Sequence, residues 1–170
     1  TFGAAPTANA GPDQTVCAGT SNNISGTQPT TGSWSARPGN PAGATLGLLP
    51  AGNANVTFSN AASGPYGFIY STPTCADTMV FTVNPRPVVS ITGSNSICVG
   101  ATTTLSPATA GWVSNNPGVA SVNASGLVTA LAGGSATFTF TDSNGCTNTT
   151  NAVTVNPPPT VAISGTSAVC

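Results

Sequence analysis

Apolar and polar residues alternate along this chain in short runs, and clusters of Gly, Pro, Asn and Ser separate the runs. In Ala136-Thr137-Phe138-Thr139-Phe140 the apolar side chains share one face of an extended strand, and in Met79-Val80-Phe81-Thr82-Val83 so do Met79, Phe81 and Val83. This period of two, with β-branched and aromatic enrichment, predicts strands. In the first half they fall at Gln14–Cys17, Ser33–Ser35, Thr45–Leu48, Asn55–Ser59, Tyr66–Ser71 and Thr78–Val83. In the second half they fall at Val88–Thr92, Ala101–Leu105, Gly111–Ser114, Val119–Val122, Leu127–Ala130, Ser135–Thr141 and Ala152–Val155. Helix is nearly excluded, because 20 Gly and 15 Pro interrupt every candidate window. Short strands with turns about every 8 to 12 residues predict β-sandwiches.

The pattern also repeats. VNPRPVVSITGSNSIC ends at Cys98 and VNPPPTVAISGTSAVC ends at Cys170, 72 residues later, with eight of sixteen positions identical. A weaker copy, QTVC, ends at Cys17. Self-similarity at a near-constant spacing marks a modular array. The expected organisation is a tail of a preceding module or linker at 1–7, one module at 8–85, a second at 86–157, and the first strand of a following module at 158–170. Val83-Asn84-Pro85-Arg86-Pro87 and Val155-Asn156-Pro157-Pro158-Pro159 are the junctions. Proline fixes φ and restricts the residue before it, so these links are expected to be short and stiff, giving an all-β, extended array of tandem sandwiches. Trp34 and Trp112 each sit on an early strand of their module and read as core anchors, with ligand stacking as the alternative.

Charge changes the picture most. Only Asp13, Arg37, Asp77, Arg86 and Asp142 are charged, which is 3% of the chain against about 25% in an ordinary soluble domain. Low charge removes the repulsion that keeps proteins apart, so side-by-side packing in a fibre is one expectation and a neutral stalk surface another. Two Arg and no Lys exclude a basic nucleic-acid footprint. No apolar run approaches the roughly 18 residues of a membrane span, and no signal peptide is visible, as expected of a mature internal fragment. Without His, Glu or Lys, acid–base and nucleophilic devices lack their parts, so no catalytic residue, metal site or cofactor is expected.

The stretch GWVSNNPGVASVNASGLVTALAGGSATFTF, Gly111–Phe140, resembles the bacterial immunoglobulin-like (Ig-like) domain of group 2. The matching residues are Trp112, the turn Ser114–Pro117, the strand Val119–Val122 and the SGLVTALAGGSATF run after it. The opening ANAGPDQTVCAGT, Ala8–Thr20, resembles PKD-like domains of secreted bacterial repeat proteins, without the W-x-F-G-D-G element of that family. DSNGC, Asp142–Cys146, is similar to a turn of large surface proteins in gliding-type Gram-negative bacteria. These resemblances imply tandem sandwiches in adhesins, stalks and extracellular fibres, and imply no catalytic residue. Asp77-Thr78-Met79 resembles an O-glycosylation acceptor of the same bacteria, which marks Thr78.

Five cysteines, Cys17, Cys75, Cys98, Cys146 and Cys170, without metal-ligand spacing, suggest an oxidising compartment. Pairing within modules would give Cys17–Cys75 and Cys98–Cys146. In an Ig-like sandwich, however, the turn after the first strand and the last hairpin lie at opposite poles. A strand of 7 to 8 residues separates them by roughly 25 Å, beyond the reach of a disulfide. The other scheme joins Cys17 to Cys146 across the junction, and sends Cys98 to a following module and Cys75 to a preceding one. Both schemes remain open on sequence, as do thiols throughout.

The function expected is a structural segment of an extracellular, cell-surface bacterial filament or adhesin stalk that self-associates or continues as a longer repeat chain. The alternatives are a module that binds carbohydrate or another surface, and an accessory region of a secreted hydrolase. Burial of Tyr66, Tyr70, Trp34 and Trp112 would favour the stalk, and clustering on one solvent face would favour binding.

Overall fold

The computed structural model of the chain describes residues 7–26 and 32–161. Residues 1–6 and 162–170 of the expected terminal segments, Cys170 among them, lie outside the described residues. Backbone contacts divide the chain into two units: Thr1–Pro87 with Asp142–Cys146, and Val88–Thr141 with Thr147–Cys170. Each is an Ig-like β-sandwich.

The first unit has seven strands: β1 (Gln14–Cys17), β2 (Ser21–Ser25), β3 (Ser33–Ala36), β4 (Ala44–Leu49), β5 (Asn53–Phe58), β6 (Gly64–Ser71) and β7 (Ala76–Asn84). They form two sheets, ordered β1-β7-β6-β3 and β2-β5-β4. β1 runs parallel to β7, with Cys17 opposite Asn84, whereas β6 and β7 form a long antiparallel hairpin. Alternation fills the space between the sheets. Met79, Phe81 and Val83 point inward from β7 and meet Tyr66, Phe68 and Tyr70 of β6 and Val56 and Phe58 of β5. The rings interlock at centroid distances of 5.2 Å for Phe58–Tyr66, 5.3 Å for Phe58–Phe81 and 5.9 Å for Phe68–Phe81, the tilted and edge-on geometries that aromatic quadrupoles favour. The polar handles are satisfied: Trp34 Nε1–H donates to the Gly52 carbonyl at 2.9 Å and the Tyr66 hydroxyl donates to the Ala42 carbonyl at 2.8 Å.

The second repeat continues with β8 (Ser90–Ile91), β9 (Ser96–Cys98), β10 (Thr102–Ser106), β11 (Trp112–Ser114), β12 (Ala120–Val122), β13 (Leu127–Ala130), β14 (Gly134–Ala136), β15 (Phe138–Thr141), β16 (Thr147–Thr149) and β17 (Val153–Asn156). One sheet is ordered β12-β13-β10-β8. The facing strands form two shorter sheets, β11-β15-β16 and β14-β17-β9. The expected single strand Ser135–Thr141 is interrupted at Thr137 because the Phe138 N–H leaves the backbone ladder and donates to the Thr150 hydroxyl at 3.2 Å. The expected strand Val88–Thr92 is reduced to Ser90–Ile91, which pairs with β10. The chain then crosses to the other sheet, where β9 runs parallel to β17 with Cys98 opposite Asn156. The core is Ile97, Leu105, Trp112, Val128, Phe138, Phe140, Val153 and Val155 with the small residues between them.

The two tryptophans hold equivalent places. Trp34 lies opposite Tyr70 and Trp112 opposite Phe140, with ring centroids 5.2 and 5.1 Å apart. Trp112 Nε1–H donates to the Pro107 carbonyl at 2.9 Å. The hydroxyl of Thr103, on β10, is buried with no hydrogen-bond partner among the described residues. An unsatisfied buried hydroxyl costs about 1–3 kcal/mol, and valine has nearly the same shape. Thr103→Val should therefore raise the urea midpoint of this unit at unchanged m-value. A lower midpoint would show that the hydroxyl contributes to stability after all.

Candidate functional site

The covalent chemistry of the molecule is concentrated in its cysteines. Cys17 closes β1, and Cys146 closes the turn between β15 and β16, where the Asp142 N–H donates to the Cys146 carbonyl at 2.9 Å. The Asp142 carboxylate shapes that turn by accepting from the N–H groups of Asn144 at 2.9 Å and Cys146 at 2.8 Å. Cys17 and Cys146 are joined in a disulfide with Cα atoms 5.5 Å apart and 129 residues of sequence between them. Both belong to the first unit, although Cys146 is carried by the last hairpin of the second repeat.

The pairing Cys17–Cys75 and Cys98–Cys146 is not formed, and the strand register gives the reason. Cys17 stands opposite Asn84, the last residue of β7, whereas Cys75 precedes Ala76, its first. Eight residue steps at about 3.3 Å place the two ends roughly 26 Å apart, and a disulfide requires Cα atoms within about 7 Å. The second repeat has the same geometry, with Cys98 opposite Asn156 at the end of β17 and Cys146 just before β16. Cys98 is an exposed thiol. Cys75 lies in the β6–β7 turn, its sulfur 3.4 Å from the Thr74 hydroxyl. Hydrogen bonds from the Thr74 side chain, the Ala8 backbone and the Thr72 side chain hold its pKa below the ordinary thiol value, against an opposing push from desolvation.

The three carboxylates serve the backbone. Asp13 accepts from the Val80 N–H at 2.8 Å, Asp77 accepts from the Ala10 and Thr78 N–H groups at 2.8 Å each, and Asp142 shapes the turn that carries Cys146. Among the described residues, no group of three or more His, Cys, Asp or Glu comes together to hold a metal ion. Nor does any helix there have the length and apolarity to cross a membrane.

The outer faces are neutral hydrogen-bonding surfaces. On β2 and β5, Asn55 donates to Asn23 at 2.8 Å and accepts from Ser21 at 3.0 Å and from Thr57 at 3.1 Å. On the second repeat, Asn115 donates to the Thr137 and Thr139 hydroxyls, and Thr139 lies 3.0 Å from the Thr149 hydroxyl. Side chains already bonded to their neighbours form an uncharged patch whose ordering cost is partly met before any contact is made. Aromatic residues take no part in it: all nine among the described residues, including Trp34, Tyr66, Tyr70 and Trp112, are buried. A groove of about 550 Å³ between Val89–Asn95 and Asn148–Asn151 is lined by Ser, Asn and Thr together with Val89, Ile91 and Gly93, and holds no aromatic ring. Thr78 is exposed on β7.

Residues 78–155 match the family model described as bacterial Ig-like domain (group 2). The second repeat is similar to domains of that family. Three solved structures illustrate what the chain is similar to in fold. The C-terminal 282-residue fragment of intimin, in complex with the intimin-binding domain of its translocated receptor, is 17% identical with a TM-score of 0.49, over 90% of this chain and 65% of that one. BT4661, a SusE-like surface located polysaccharide binding protein of Bacteroides thetaiotaomicron, is 13% identical with a TM-score of 0.42, over 91% of this chain and 34% of that one. Domains 5-6 of the S-layer protein SbsC are 14% identical with a TM-score of 0.35, over 91% of this chain and the whole of that one. The chain thus spans less than two thirds of the first two. No curated protein matches it in sequence. Within the Ig-like domain the family match takes in Trp112, Cys98 and Cys146, and it starts on β7 of the preceding repeat.

Proposed function

We propose that this chain is a structural segment of an extracellular bacterial filament or surface adhesin stalk, in which tandem Ig-like sandwiches act as mechanical building units. The observation that carries this reading is the Cys17–Cys146 bond, which ties the first strand of one repeat to the last hairpin of the next. A disulfide persists in oxidising surroundings, which supports a place outside the cell. The neutral Asn, Ser and Thr faces support lateral packing, because no net charge has to be brought together when they meet. Exposed Thr78 is a candidate O-glycan acceptor on such a surface.

Binding of a carbohydrate or another surface is the second reading. It is disfavoured by the burial of every described aromatic side chain, since sugar rings are commonly held by stacking on exposed ones. Negative-stain images of the native material test the proposal directly. Regular fibres or thin stalks are the expected outcome, and dispersed monomeric beads would overturn it.

A further inference from the structure

The two ends of the Cys17–Cys146 bond are held in different ways. Cys17 is fixed by sheet structure: it lies opposite Asn84 in the parallel β1–β7 ladder, and the next residue, Ala18, donates its N–H to the Asn84 carbonyl at 2.9 Å. Cys146 sits in a turn, outside any strand. There one residue clamps it from both sides. The Cys146 N–H donates to Asp142 Oδ1 at 2.8 Å, and the Cys146 carbonyl accepts from the Asp142 N–H at 2.9 Å. The same Oδ1 accepts from the Asn144 N–H at 2.9 Å, and the Gly145 N–H donates to the Asp142 carbonyl at 3.1 Å. Gly145 has a φ of 79°, the left-handed conformation that closes the turn at no steric cost. With both of its backbone polar groups tied to Asp142, buried Cys146 keeps little freedom beyond rotation of its own side chain.

We propose that Asp142 is the positioning residue of the Cys17–Cys146 bond: its carboxylate holds Cys146 where the sulfur meets Cys17, and so selects this pairing over the others open to five chemically alike cysteines. This role belongs to the bond itself and does not depend on the filament reading. The matching turn of the first repeat has the same clamp made with a hydroxyl. The Cys75 N–H donates to Thr72 Oγ1 at 3.1 Å, and the Thr72 N–H donates to the Cys75 carbonyl at 2.8 Å. A hydrogen bond to a carboxylate is roughly twice as strong as one between neutral groups. The firmer clamp therefore stands at the cysteine that closes the disulfide with Cys17.

Closure is thiol–disulfide exchange with a small-molecule disulfide, here oxidised glutathione, as the oxidant. The thiolate of Cys17, half-buried where Cys146 is buried, attacks one glutathione sulfur, forms a mixed disulfide and releases one glutathione thiolate. The Cys146 thiolate then attacks the Cys17 sulfur, forms the Cys17–Cys146 bond and releases the second. Two protein thiols lose two protons and two electrons, and one oxidised glutathione becomes two reduced ones. The first step needs nothing from the turn. The second is intramolecular, and it follows the effective concentration of Cys146 at Cys17, which a fixed geometry raises. Asp142 acts on that second step.

The test uses the full chain, reduced and then equilibrated under native conditions in glutathione redox buffers. Mass spectrometry quantifies the Cys17–Cys146 linked peptide and the mixed disulfide of Cys17 with glutathione. Asp142→Ala should lower the equilibrium constant for bond closure on the order of tenfold, the worth of one net hydrogen bond to a charged group. The mixed disulfide should accumulate, and peptides joining Cys17 to other cysteines should appear. Asp142→Asn keeps an oxygen acceptor and should restore most of the loss. Asp142→Thr, which copies the turn of the first repeat, should fall between alanine and asparagine. The order of aspartate, asparagine and threonine decides the matter if the alanine chain does not fold. The same constant in every chain that folds would overturn the role of Asp142. Cys17→Ser separates a merely structural contribution, because Asp142→Ala should lower the thermal midpoint less in that background than with the bond in place. Equal losses in the two backgrounds would overturn the role as well.

Discussion

Phe81→Ala should unfold the first unit under conditions in which the second remains folded. Phe81 is fully buried on β7, the strand shared by the β1 and β6 pairings, and its ring touches those of Phe58 and Phe68. Truncating a buried Phe removes its transfer free energy and leaves a cavity that rigid neighbours cannot collapse into, a loss of about 3–5 kcal/mol. That is a large share of the roughly 5–15 kcal/mol that holds a domain together. Fluorescence separates the two units, because Trp34 lies in the core of the first and Trp112 in that of the second. In chains carrying Trp112→Phe or Trp34→Phe, the Trp34 signal should move to lower urea and the Trp112 signal should change far less. Equal shifts in both would mean that the cores unfold as one.

Breaking Cys17–Cys146 should have the second large effect, and a mechanical one. With the bond closed, force applied to the two chain ends cannot extend the 129-residue separation between the cysteines. Reductant should add on the order of 440 Å of contour length to a single-molecule pulling trace, at about 3.4 Å per extended residue. In the chain-entropy treatment the same loop closure stabilises the folded state by about 5 kcal/mol at most. Cys17→Ser should therefore also lower the thermal midpoint, by on the order of 10 °C at about 2–4 °C per kcal/mol. Traces of equal length with and without reductant would mean that the bond bears no load.

The fold class was readable because a half-buried strand must alternate. The pattern of Leu127–Ala130 gives the bounds of β13, and in β7 the structure adds two residues before Thr78 and one after Val83. Ser21–Ser25 was missed because only Ile24 faces the core, and a strand of four polar residues reads as a loop. Ser96–Cys98 was missed for a related reason: it contributes Ile97 alone to the core and is held by its parallel pairing with β17. The composition led only to the expectation that catalytic parts are lacking. It did not show that Asp13, Asp77 and Asp142 would each be occupied by backbone N–H groups.

Local periodicity and composition are enough to give β-structure, two similar repeats, a surface with very few charges and five cysteines recurring at matched places. The tertiary structure alone decided which cysteines meet. All of them are chemically alike, so sequence separation favoured neither scheme decisively. Parallel pairing of β1 with β7 puts Cys17 at the opposite end of that strand from Cys75, and the turn carrying Cys146 packs into the first unit. A disulfide forms between sulfurs that the backbone brings within a few ångströms, and that proximity is a property of the assembled sheets.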